Sequence, residues 1–64
     1  MIKTMIRLKG ITVREAAELC GVPTDLMVAW YKLGTVVPIE QVARVADALG
    51  FTLVYDGNWK AVKR

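Results

Sequence analysis

Sixty-four residues are enough for one small domain, which buries only about 60% of the surface its unfolded chain exposes. A hydrophobic share of 55% argues against a disordered chain and asks for a dense core or an apolar face given to a partner. Net charge +3 permits nucleic-acid binding without requiring it. With no histidine and a single cysteine, Cys20, the chain has no disulfide framework, no cysteine or histidine zinc cluster and no histidine-based catalysis.

In chain order, Met1–Lys9 reads as a first helix. Ile2, Met5 and Ile6 fall on one face at helical spacing, with Lys3 and Arg7 elsewhere. Gly10 stops this helix and Ile11 folds back onto the core. Thr12 then caps a second helix, Val13–Cys20, and Glu15 three residues on completes a capping box. Ala16 and Ala17 are small enough for another helix to approach closely, and Gly21 leaves the helix with positive φ. Pro23 suits the first turn of a third helix, Pro23–Leu33, where its missing N–H has no intrahelical partner, and Asp25 complements the positive end of the dipole. Two short helices around a glycine turn make a helix-turn-helix. On the third helix Leu26, Met27, Trp30 and Leu33 share the arc expected to be core. Thr24, Asp25, Val28, Ala29 and Lys32 share the opposite arc and face outward.

Gly34–Val37 reads as a connecting loop. Pro38 opens a fourth helix to about Leu49, with Val42, Val45, Ala46 and Leu49 inward and Glu40, Arg44 and Asp47 outward. After Gly50 the period changes. FTLVY (51–55) and WKAV (59–62) are β-prone runs flanking Asp56-Gly57-Asn58. A two-residue Asp-Gly turn would pair Tyr55 with Asn58. A three-residue loop, with Asn58 left-handed, puts Phe51, Leu53, Tyr55, Trp59 and Ala61 on one face and is preferred because it gathers the apolar residues. The expected fold is mainly α: a single four-helix domain with a C-terminal two-stranded β-hairpin. An isolated hairpin is marginal in water, so this one packs on the helices, pairs with a second copy, or both.

The register resembles that of the phage Cro and repressor proteins, the Xre-like, lambda-repressor-like helix-turn-helix family. Ala17 stands four residues before the turn glycine Gly21, Val22 directly after it, and Met27 and Trp30 six and nine beyond it. MIKTMIRLKGIT and PIEQVARVADALGF are similar to that family's first and last helices, so the resemblance covers residues 1–51. It implies a small transcriptional regulator that binds double-stranded DNA with the third helix in the major groove. Thr24, Asp25, Val28 and Ala29 are then the base-reading candidates, and Arg14 and Lys32 the phosphate contacts. The hairpin is similar to the dimer-forming C-terminal β-segment of some Cro proteins, which makes Phe51, Leu53, Tyr55 and Trp59 the dimerisation candidates of a homodimer. No apolar run reaches membrane-spanning length, and Arg7, Lys9 and Gly10 interrupt any signal-peptide core, so a prokaryotic or phage-infected cytoplasm is expected.

The outward arc departs from the family, which carries Ser, Gln, Asn, Lys or Arg where this chain has Val28 and Ala29. Val13 likewise replaces a frequent glutamine, and Leu19 a polar residue. A second reading follows: a protein–protein interaction module or re-engineered scaffold using Leu19, Val28, Ala29, Tyr31, Val36 and Val37 as an apolar patch. An enzyme is not expected, since the six carboxylates form no paired constellation and no glycine loop cradles a phosphate. Neither a cofactor nor a small-molecule ligand is implied. Cys20 reads as a packed thiol, Trp30 and Trp59 as structural, and Lys60, Lys63 and Arg64 as a solvated strand end.

Overall fold

The computed structural model describes residues 1–33 and 37–64. They form α1 (Ile2–Lys9), α2 (Val13–Cys20), α3 (Thr24–Leu33), α4 (Ile39–Leu49), β1 (Phe51–Tyr55) and β2 (Trp59–Lys63). Residues 34–36, read above as loop and, at Val36, as part of an apolar patch, lie outside the described residues, as does the side chain of Leu33.

Local chemistry sets the helix boundaries. Thr12 Oγ1 accepts from the Glu15 N–H at 3.1 Å and the Thr12 N–H donates to Glu15 Oε1 at 3.0 Å, the reciprocal pair that satisfies two otherwise unpaired donors. At the other end of α2, Gly21 takes φ 68. Its N–H donates to Glu18 O at 3.2 Å, and the Val22 N–H to Ala17 O at 3.1 Å. That is a Schellman closure, turning the chain within two residues. The Pro23 carbonyl then accepts from Leu26 and Met27, so Pro23 lies just ahead of α3 rather than inside it.

The core takes one stripe from each helix: Ile2, Met5 and Ile6 of α1, Ala16 and Ala17 of α2, Met27 of α3, and Val42, Val45, Ala46 and Leu49 of α4. Phe51 closes it from the first residue of β1. Ala16 and Ala17 are at most 1% exposed, and α2 packs there against α3 and α4. Leu26 corrects the expected inward arc of α3, being 41% exposed. The buried arc is Met27 with Trp30 and Tyr31 packed beside it, an i, i+3, i+4 triplet that leaves Leu26 on the rim. Leu26 precedes Met27 by one residue, about 100° around the helix.

The ribbon pairs Tyr55 with Trp59, Leu53 with Ala61 and Phe51 with Lys63 across a three-residue loop, the register that collects the apolar side chains on one face. The left-handed residue is Gly57 at φ 76, not Asn58. Glycine takes that conformation without a Cβ penalty, whereas asparagine would have to accept one. β1 lies on α4. Phe51 is buried and Leu53 and Ala61 are half-buried against the core, while Tyr55 and Trp59 extend past it. Arg64 is exposed but tied down. Its backbone N–H donates to Gly50 O, and its guanidinium donates to the Phe51 carbonyl and to the Asp47 carboxylate. The last residue therefore ties the ribbon to the end of α4.

Candidate nucleic-acid interface

Gly21 and the two residues after it aim α3 away from α2, and the Met27–Trp30–Tyr31 stripe fixes its rotation. Three predicted contact residues, Thr24, Asp25 and Lys32, are exposed. Val28 and Ala29 are half-buried and lie outside the set that packs on the core, so their outward faces remain reachable. Leu26, exposed against its expected inward place, adds an apolar member to this surface. At 100° per residue Asp25, Val28, Ala29 and Lys32 form one band, with Thr24 at its N-terminal edge.

Arg14 projects from the first turn of α2, its side chain 81% exposed, with Glu18 one turn on at 3.9 Å. A pair so exposed contributes little to stability and leaves the guanidinium free to exchange partners. The electrostatics of this surface are weak. On α2 and α3 together, Arg14 and Lys32 face three carboxylates, Glu15, Glu18 and Asp25. A phosphate brought to this surface would meet two individual cations and backbone N–H groups, not a net positive field. Cys20 sits at the rim of the core, where burial pushes its thiol pKa up, in keeping with a packed side chain.

The apolar patch proposed as an alternative surface is divided by the fold. Leu19 is 54% exposed, whereas Tyr31 and Val37 pack on the core. Of the dimerisation candidates, Phe51 is 2% exposed and belongs to the protomer's own core, so it offers no surface to a second copy. Leu53 is mostly committed inward too. Tyr55 and Trp59 remain outside, 64% and 46% exposed, with ring centroids 5.1 Å apart at an interplanar angle of 61°. On the ribbon's other face Val54 and Val62 are 42% and 48% exposed, apolar positions absent from the expected dimer contact. Strand alternation could have found them, since both lie out of phase with Phe51 and Leu53.

Among the described residues no group of three or more His, Cys, Asp or Glu is placed to hold a metal, and no helix is long and apolar enough to cross a membrane. Comparison of the chain with family models, curated proteins and solved structures finds no match in any of the three.

Proposed function

We propose that this protein is a small DNA-binding regulator of the lambda-repressor-like, helix-turn-helix kind, with α3 entering the major groove of double-stranded DNA. The observation that carries the reading is the exposed band on α3, held by a capped, glycine-closed α2 and left uncovered by the ribbon's packing on α4. Thr24 and Asp25 meet base edges, Asp25 accepting from a cytosine amino group, and Val28 and Ala29 touch thymine methyls. Arg14 and Lys32 hold phosphates. So few polar contacts make a single protomer a weak reader. A homodimer formed through the outer face of the ribbon, with Val54 and Val62, doubles the contacts and sets two half-sites about 34 Å apart.

A specific observation favours a second reading, that of a protein-interaction module. The α2–α3 surface combines exposed Leu19 and Leu26 with reachable Val28 and Ala29 and carries more carboxylates than cations. Selection from a random duplex pool, followed by binding across a salt series, separates the two. A regulator enriches one sequence and loses affinity steeply with salt. Enrichment of no sequence, with binding to duplex DNA absent even at low salt, leaves the interaction module.

A further inference from the structure

The charge of this protein is divided by element. α1 and the stretch from β2 to Arg64 hold Lys3, Arg7, Lys9, Lys60, Lys63 and Arg64, six of its nine cations, and no carboxylate. The remainder holds Arg14, Lys32 and Arg44 against all six carboxylates. The fold brings the two basic elements together. At one end of the seam between them, Met1, Thr4, Trp59, Lys60 and Ala61 line a cleft of about 500 Å³. At the other end Lys9 meets Lys63 and Arg64 around one of about 310 Å³. Two of the six cations are engaged: Lys3 lies 5.6 Å from the centroid of the Tyr31 ring, and Arg64 holds Asp47. Arg7, Lys9, Lys60 and Lys63 are exposed and form no ion pair among the described residues.

Beside these cations stand Tyr55 and Trp59, a pair of rings left in water where β1 and β2 outrun the core. The combination selects a ligand that is polyanionic and flat-faced. A duplex keeps its base faces inside the stack, and a lipid headgroup supplies charge without a ring. Unpaired nucleotides supply both, which is how charged grooves with aromatic platforms hold single strands. We propose that the α1–β2 seam binds single-stranded nucleic acid, one base stacking on Trp59 and the adjoining phosphates lying on Lys9, Lys60 and Lys63. β2 spans about 17 Å, room for on the order of four nucleotides. The proposal stands apart from any reading of duplex DNA by α3.

The test is fluorescence anisotropy of a short labelled oligothymidylate with the full chain, run beside inorganic polyphosphate, a random-sequence duplex and anionic vesicles. With Lys9, Lys60 and Lys63 engaged, log affinity for the single strand falls against log salt with a slope of about −2, and Lys60→Ala with Lys63→Ala cuts that slope to about a third. Trp59→Ala weakens oligothymidylate about tenfold while polyphosphate binding is unchanged, and Trp59→Phe restores most of the loss. Trp59 is well exposed, and circular dichroism of each variant checks that the fold is retained. Val28→Glu leaves the single-strand affinity untouched, whatever it does to duplex binding, so the two sites fail or stand separately. Three outcomes overturn the proposal. Oligothymidylate fails to bind at low salt; or Trp59→Ala leaves its affinity unchanged or weakens polyphosphate and vesicles equally; or Trp59→Ala instead abolishes a concentration-dependent dimer, which would seat a second copy on the ring.

Discussion

Gly21 shows how much one backbone angle decides. Its φ of 68 is one that L side chains rarely adopt, yet nothing lies within 4 Å of where a Cβ would stand. The cost of Gly21→Ala is thus backbone strain alone, about 1–2 kcal/mol, and Gly21→Asn costs less because asparagine tolerates this region. Urea unfolding of the two variants measures the difference, and equal losses would show a steric cause instead. Met27, fully buried where α3 meets the core, is the costlier position. Met27→Ala should lose roughly 2–5 kcal/mol. That is a large part of the ~5–15 kcal/mol holding a domain together, so a clear fall in the melting temperature is expected. Both residues were legible in the sequence, Gly21 through the turn it closes and Met27 through its helical spacing. Leu26 and Tyr31 were not. Both border the buried arc, and the helices packed beside α3, not its own period, decide which of them is covered.

At the scale of elements, α2 and α3 behave as a unit built from local signals, and their boundaries followed from caps and turns. The ribbon needed more. Its register was readable because only one loop length gathers Phe51, Leu53, Tyr55, Trp59 and Ala61 on one face. Its anchoring was not, since the bond from Arg64 to Asp47 joins residues far apart in sequence. Arg64→Ala should leave the helices intact and raise hydrogen exchange in β2 first, because an exposed pair and two guanidinium bonds to the Phe51 carbonyl stabilise only the end of the strand. Uniform exchange over the whole chain would mean that the ribbon and the helices open together. On α3, Val28→Glu introduces a carboxylate at a half-buried position outside the set that packs on the core. The variant should melt within a few degrees of the parent, yet lose at least tenfold in affinity for a selected duplex, as phosphate repulsion requires.

At the scale of the whole molecule, two surfaces stand apart: a band on α3 with little net charge, and a basic seam where α1 meets β2. The two basic blocks were visible at opposite ends of the sequence, but their meeting depended on how the ribbon folds back. The open edges of a two-stranded ribbon favour pairing with a second copy. Sedimentation equilibrium at two concentrations should therefore report a dimer at the higher one, and a single monomer mass at both would remove the two half-site arrangement. The claim on which the account turns is that α3 is the surface meeting duplex DNA. Amide chemical-shift mapping during titration with a duplex selected by the protein tests it directly. The account predicts that shifts concentrate at Thr24, Asp25, Val28, Ala29 and Lys32 and at the start of α2 around Arg14. Shifts confined to α1 and β2, with the α3 amides unmoved, would contradict it.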